Sequence, residues 1–317
     1  MNIRPRRLVV AGSVIVDVIM PVSQLPSRGG DVMARSATAQ AGGGFNVLAA
    51  AARLGLPGAL AGRIGTGPFA GIVAAALIEE GTAELIPRVV GEQGFCVGMV
   101  EPDGERTFVT SAGVESELTR EELSLVPVRS DDVVFVSGYD LTYPGSGPAL
   151  ATWLAEDVGD DALVVIDPGP LVAEIPEDVA DAAFRRADVL SLNTREFSLL
   201  SGELSPVVDP HDIRRSAAVL DLVRPDGFLL LRDGARGSHL IRPDRESLHF
   251  PAPVISDVVD TTGAGDAYTG AFLAEIARGE SLEGAARVAT VAAALSVRQP
   301  ISAAGPTREA LEEVLAA

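Results

Sequence analysis

Val259-Asp260-Thr261-Thr262-Gly263-Ala264-Gly265-Asp266-Ala267-Tyr268-Thr269-Gly270 is the most informative stretch of this 317-residue chain. Gly263 and Gly265 free the backbone to turn, and the alanine-rich run that follows, Ala264 to Arg278, has helical spacing. A helix that starts from a turn of small residues aims its unpaired N–H groups at one point and so makes an anion site. An aspartate at that mouth would repel the anion. Asp266 therefore reads in two ways: as a helix cap, or as a base that takes a proton from a hydroxyl attacking a phosphate held by the amides.

Outward from this stretch, helices are expected at Asn46 to Leu54, Phe69 to Glu80, Pro148 to Glu156, Leu282 to Val297 and Thr307 to Leu315. Short apolar runs alternate with them: Leu8 to Val16, Asp132 to Ser137, Ala162 to Ile166, Val189 to Leu192 and Gly227 to Leu231. Such alternation predicts an α/β fold, a doubly wound, mostly parallel sheet flanked by helices, with ligands outside the carboxyl ends of the strands. Two stretches break the rhythm, about 18–40 and 94–114, the second with the turn Pro102-Asp103-Gly104-Glu105. They predict a small β lid inserted into one domain that spans 1–317. The alanine runs Ala49 to Ala52 and Ala74 to Ala76 read as close helix packing.

Composition narrows the chemistry. All 25 basic side chains are arginines, which excludes Schiff-base chemistry and a lysine-bearing phosphate loop. One cysteine, Cys96, and three histidines, His211, His239 and His249, exclude a disulfide framework and a Cys/His zinc site. A net charge of −19 argues against nucleic acid and anionic membranes as partners. The start, with Arg4, Arg6 and Arg7 before an apolar run, superficially resembles a twin-arginine signal; Asp17 interrupts the run and no cleavage site follows, so it reads as a basic tail entering a strand. No apolar run is long enough to span a bilayer, and a cytoplasmic location is expected.

Gly42-Gly43-Gly44-Phe45-Asn46 opens a second helix, either as a turn capped by Asn46 or as bare backbone that a polar ligand approaches while the Asn46 amide meets its hydroxyls. Gly65-Thr66-Gly67-Pro68-Phe69-Ala70 imitates a dinucleotide fingerprint, with Glu84 about 20 residues on. Pro68 removes an N–H from that loop, which favours a plain turn.

Together these motifs resemble the ribokinase-like, or PfkB, family of carbohydrate kinases. The stretch from Asp260 to Asp266 and on to Phe272 resembles the family's C-terminal signature, and Gly42 to Gly55 its N-terminal one. Asn193-Thr194-Arg195-Glu196 is similar to its N-x-x-E motif, and Gly234-Ala235-Arg236-Gly237 to its nucleotide-binding G-x-x-G. The resemblance implies ATP-dependent phosphoryl transfer to a hydroxymethyl hydroxyl of a small sugar. It implies Asp266 as the base and the amides of Gly263, Ala264 and Gly265 as the anion hole. Asp17, Gly42, Gly43 and Asn46 would meet the acceptor, with Asp140 a further hydroxyl contact beside Tyr139. Asn193 and Glu196 would orient Mg²⁺ through water, and Arg232, Gly234 and Gly237 would line the ATP site. The family's lids often pair between subunits, which implies a homodimer.

The chain also departs from the family pattern. Gly65-Thr66-Gly67 lacks the carboxylate of a usual G-x-D, Gly43 or Gly44 stands where ribokinases often carry lysine, and Arg232 replaces a usual hydroxyl residue. A monovalent-cation (K⁺) site would fall at Asp260 and Thr262, but Ile301 stands where relatives place glycine. The alternative acceptor is a nucleoside, which needs an aromatic or apolar slot for its base; aromatic residues make up 4% of the chain, with Phe45, Phe95 and Phe108 available. A phosphorylated sugar would call on Arg35 or Arg106. A catalytically silent sugar-binding regulator is opposed by the intact Asp266, and a dinucleotide-dependent oxidoreductase rests on the Gly65 loop alone.

Overall fold

Leu8 and Val10 belong to one apolar cluster and Val9 and Ala11 to another, and all four are buried. A strand with no wet face needs cover on both sides. The computed structural model describes residues 4–202, 213–243 and 245–316, so His211 lies outside the described residues. The chain begins with β1 (Arg7–Ala11), β2 (Val14–Pro21), β3 (Thr38–Gly43), α1 (Gly44–Arg53), β4 (Gly58–Ala61), α2 (Pro68–Glu79), β5 (Ala83–Glu84), β6 (Phe95–Val100) and β7 (Arg106–Ser111). It continues with α3 (Arg120–Leu123), β8 (Asp132–Ser137), α4 (Gly138–Thr142), α5 (Ser146–Glu156), β9 (Leu163–Asp167), α6 (Glu177–Arg186), β10 (Val189–Asn193) and α7 (Thr194–Leu200). The last part holds α8 (Ile213–Leu220), β11 (Phe228–Arg232), β12 (Ser238–Ile241), β13 (Leu248–Phe250), α9 (Ala264–Arg278), α10 (Leu282–Ser296) and α11 (Arg308–Leu315).

The larger sheet has nine strands in the order β13-β12-β11-β10-β9-β8-β1-β4-β5. Pairings from β5 across to β11 are parallel, and β12 and β13 add an antiparallel edge. Helices α1, α2, α9, α10 and α11 cover one face around Phe135, Val165, Leu230 and Phe272. Helices α3 to α8 cover the other around Val134, Val164, Leu229 and Trp153. This is the doubly wound, mostly parallel architecture that the sequence predicts.

The second sheet, of order β3-β2-β6-β7, is the separate small sheet expected as a lid. Its β6–β7 hairpin turns at the expected residues: the Gly104 N–H donates to the Glu101 carbonyl at 2.9 Å, and Asp103 Oδ1 accepts from the Glu105 N–H at 3.1 Å. One expectation fails here. Leu8 to Val16 is not one strand; the chain leaves the large sheet at Ala11 and enters the lid sheet at Val14. Gly12 makes the break, with φ of 143°, and a Cβ there would lie 2.1 Å from Asp140 Oδ2. Asp17 consequently sits within β2, paired with Gln40 and Cys96, and not at the end of a core strand.

Helices α1 and α9 fix the site between the sheets. A Cβ on Gly270 would sit 2.7 Å from Ala50 Cβ and 2.9 Å from the Val47 carbonyl oxygen, so the two backbones nearly touch. Ala49, Ala50 and Ala51 are all buried there, which is the close packing read from the alanine run. Asn46 meets Asp266 as Ala50 meets Gly270, so the helices run in the same direction and present both N-termini to one rim. Among the described residues no helix is long and apolar enough to cross a membrane.

Candidate active site

At the head of α9, Gly263 adopts a left-handed φ of 75°, and a Cβ on it would fall 1.9 Å from the Ser302 carbonyl oxygen. No side chain caps this helix; the Ala264 N–H reaches back to the Thr261 carbonyl at 3.3 Å, and the first turn otherwise has no side-chain acceptor. Asp266 lies in that first turn and caps nothing. Its Oδ2 instead accepts a 3.0 Å hydrogen bond from Asn46 Nδ2. Burial pushes the Asp266 carboxyl up to about 7; Asp167 and Asp17 add to the rise, and the Asn46 bond and Arg232 oppose it. Asn46 is inside α1 and is not its cap, and its Oδ1 is buried without a hydrogen-bond partner.

Asp17 faces the same space from the lid. Ser302 Oγ donates to Asp17 Oδ2 at 3.0 Å, and Gln40 Nε2 donates to Ser302 Oγ at 3.3 Å. Burial raises the Asp17 pKa. Gly42 is glycine because a Cβ would lie 2.1 Å from the Asp17 carboxylate, while Gly43 turns the chain into α1 at φ 64°. Asp140 is different. It is 1% exposed, and its Oδ1 accepts the Ser13 N–H at 2.7 Å, so it braces the β1–β2 break. Tyr139, beside it, is 47% exposed and is not core.

Across the rim, Asn193 and Glu196 form a reciprocal capping box on α7. Asn193 Oδ1 accepts the Glu196 N–H at 2.9 Å, and Glu196 Oε2 accepts the Asn193 N–H at 2.7 Å. Glu196 is 2% exposed, and burial raises its pKa, with nearby Asp167 adding to the rise. Arg232 turns inward from the end of β11: its Nη1 donates to Asp167 Oδ2 at 2.7 Å and to Ser191 Oγ at 2.9 Å, and its Nη2 lies 3.5 Å from Glu196 Oε2. A Cβ on Gly265 would sit 3.1 Å from this guanidinium, so the charge lies directly under the α9 turn. Burial works against the Arg232 charge, but Asp167 and Glu196 outweigh it and push its pKa up. Gly237 is required by the approach of β13, since its Cβ would meet the Phe250 carbonyl oxygen at 2.0 Å; Gly234 faces open space.

Sequence reasoning missed Asp167, Ser302 and Gln40. Asp167 had a signal, a carboxylate at the carboxyl end of a buried parallel strand; the other two had none. At Asp260 and Thr262, where a K⁺ site would fall, the lid residue Arg106 pairs with both side chains. The Gly65 loop is a turn whose helix start is already satisfied: Glu92 Oε1 accepts the Phe69 N–H at 3.1 Å, where a pyrophosphate would have to sit. Among the described residues no three or more His, Cys, Asp or Glu side chains form a group that could hold a metal.

The pfkB family carbohydrate kinase model matches residues 5–308. An uncharacterized sugar kinase of Escherichia coli is 30% identical over 96% of this chain and 92% of its own length. An ATP-dependent ribose-1-phosphate kinase of Halopiger xanaduensis is 30% identical, with 98% of each chain covered. The structure of Arabidopsis thaliana ribokinase complexed with ribose and ATP superimposes with a TM-score of 0.79 at 25% identity, covering 98% of this chain and 99% of that one. Nucleoside kinases also match, at 19% and 20% identity, a likeness of fold alone. With its two glycine-led helices meeting at one rim and a family match along nearly its whole length, the chain belongs to the pfkB family of carbohydrate kinases.

Proposed function

We propose that the protein transfers the γ-phosphoryl group of ATP to a hydroxymethyl hydroxyl of a small carbohydrate, with Asp266 as the general base. The observation that carries this reading is the pairing of an uncapped helix N-terminus with a carboxyl raised to about 7 in its first turn. A base with that pKa is about half ionised at neutral pH and still holds a proton strongly enough to take one from a hydroxyl. Asn46 orients Asp266, and its unpartnered Oδ1 is suited to accept a hydrogen bond from an acceptor hydroxyl. Asp17 and the backbone at Gly42 and Gly43 would bind the other hydroxyls.

On the nucleotide side, the amides of Gly263, Ala264 and Gly265, with Arg232 beneath them, would take the charge that develops on the phosphoryl group. Gly234 would let the nucleotide lie against bare backbone. The carboxylate and amide oxygens of Glu196 and Asn193 suit a hydrated Mg²⁺, which they would hold through its waters and which would neutralise phosphate charge. Lid closure would exclude competing water. Phe108 and Val109 on the edge strand β7 are 50% and 61% exposed, which favours pairing of two lids in a homodimer.

A sugar is favoured over a nucleoside because the three candidate aromatics stand apart: Phe45 is buried in the core, Phe95 packs against Phe69 with the rings tilted and 4.9 Å apart, and Phe108 faces solvent. A phosphorylated acceptor has less support, since Arg35 is exposed and Arg106 is committed to Asp260. The test is ADP release with a panel of free sugars, sugar acids, ribose 1-phosphate and nucleosides. A free sugar should give the highest kcat/KM. A higher value for a nucleoside or a phosphorylated sugar overturns the acceptor assignment. A sugar that raises the melting temperature while no acceptor yields ADP overturns the kinase reading.

A further inference from the structure

Arg106 stands on β7 of the lid, while Asp260 and Thr262 stand on the loop that leads into α9. Its Nη2 lies 2.5 Å from Asp260 Oδ1, and its Nη1 is bonded to Thr262 Oγ1. The pair is largely withdrawn from water, with side-chain exposures of 19% and 10% for the arginine and the aspartate. Asp260 Oδ1 also accepts the Thr262 N–H at 2.7 Å, and the N–H groups of Val259 and Asp260 both donate to the Val297 carbonyl. This turn therefore holds a nearly buried carboxylate one residue before Thr261 and three before Gly263, and such a carboxylate needs a positive partner. A monovalent cation at Asp260 and Thr262 would have to displace a guanidinium that already binds both side chains. These residues, as arranged, do not fit K⁺.

We infer that Arg106 is a positioning residue that supplies the positive charge of this turn from within the chain, so that phosphoryl transfer needs no K⁺, and that it ties the lid to the anion-binding loop. The inference rests on reading residues 263–265 as that loop. A hydrated ion exchanges with solvent whatever the lid does, whereas a guanidinium carried on β7 leaves the turn when β7 lifts. Closing the lid and setting the loop then become one event. An arginine suits the task because its planar fork reaches the aspartate and the threonine together, which a point charge on a flexible stem does not.

The test replaces KCl with tetramethylammonium chloride at equal ionic strength and reads both the transfer rate and the melting temperature. The wild-type protein should keep its rate within about twofold and its melting temperature unchanged, because no K⁺ is bound. Arg106→Ala should lose about 10- to 100-fold in rate in tetramethylammonium, the cost of one lost electrostatic group at a phosphate site. K⁺, small enough to enter the space the guanidinium leaves, should return part of that rate and raise the variant's melting temperature. Arg106→Lys, which keeps a charge, should stay indifferent to K⁺. Activation of the wild-type protein by K⁺, or an Arg106→Ala protein that answers to K⁺ in neither rate nor melting temperature, overturns the inference. The melting arm needs no acceptor, so a failure of the kinase reading and a failure of this inference are told apart.

Discussion

Replacing Asp266 by Asn removes the proposed base and leaves the shape. The Asn46 bond survives, because an amide oxygen can still accept from Asn46 Nδ2. Turnover should fall by about 10²–10⁴, the usual worth of a positioned general base, or about 3–5 kcal/mol of barrier. The pH dependence is worked from the raised carboxyl. With a pKa of about 7, about one-tenth of Asp266 is ionised at pH 6 and about nine-tenths at pH 8, so kcat/KM should rise about tenfold across that interval and then level. Stability should move the other way. A carboxyl raised from 3.8 to about 7 on folding contributes stability below its unfolded pKa that is lost as pH rises through 7. The neutral amide escapes that loss, so Asp266→Asn should be more stable than wild type at pH 8, by up to about 4 kcal/mol. Steady-state ADP release and thermal melts at pH 6 and pH 8 read both effects. A variant within about fivefold of wild-type turnover, or a flat wild-type pH profile, would refute the base assignment.

Arg232→Met should leave Asp167 and Glu196 without their cation, and because Arg232 lowers the Asp266 pKa, the inflection in kcat/KM should move above 7; an unmoved inflection would mean the guanidinium does not act on the base. Gly270→Ala should lower stability by about 1–3 kcal/mol in a denaturant melt, since its Cβ would lie 2.7 Å from Ala50 Cβ and neither helix backbone can yield alone. Asp140, raised to about 7 by burial as Asp266 is, should add to the fall of the wild-type melting temperature as pH rises from 5 to 8, and Asp140→Asn should make that slope shallower; an equal slope in both would place the loss elsewhere.

The large sheet was legible because its strands are covered on both faces and so read as unbroken apolar runs, while the lid strands, half wet, alternate. The same rule produced the one architectural error. Leu8 to Val16 is apolar throughout, yet its two halves belong to different sheets, and only Gly12 marks the crossing, through a backbone angle that composition cannot display. Asp266 and Asn46 were legible from their glycine turns. Their contact was not, because it depends on the parallel crossing of α1 and α9 at Ala50 and Gly270, positions 220 residues apart in the chain. Asp140 read as a hydroxyl contact, and its bracing bond to the Ser13 N–H was not legible, since the partner lies 127 residues away. Arg232 was noticed as a departure from the family pattern and Arg106 as a residue a phosphorylated sugar would call on, but their direction was set by partners at distant positions, Asp167, Glu196 and Asp260.

These two arginines give the absence of lysine a physical sense. With 44 acidic against 25 basic side chains, most positive charge is needed inside the chain, and arginine serves it by binding several acceptors at once. Arg53 holds Glu80 and the carbonyls of Ala303 and Gly305; Arg308 holds Glu275 and the Leu54 carbonyl. Both lock α1 to the chain's C-terminal segment, behind the rim where Asn46 meets Asp266. Arg232 and Arg106 do the same at the rim, each tied to carboxylates, one beneath the α9 turn and one beside it. Neither is free to follow a phosphate as a lysine on a flexible stem would. In the proposed reaction, capture of the anion would fall to backbone amides, with Arg232 beneath them and Arg106 beside them while the lid is down. Preorganised dipoles of that kind need no rearrangement as charge develops. The arrangement depends on the geometry of the turn, so substitutions that shift Gly263 or Gly265 should cost more activity than the loss of any single exposed charge.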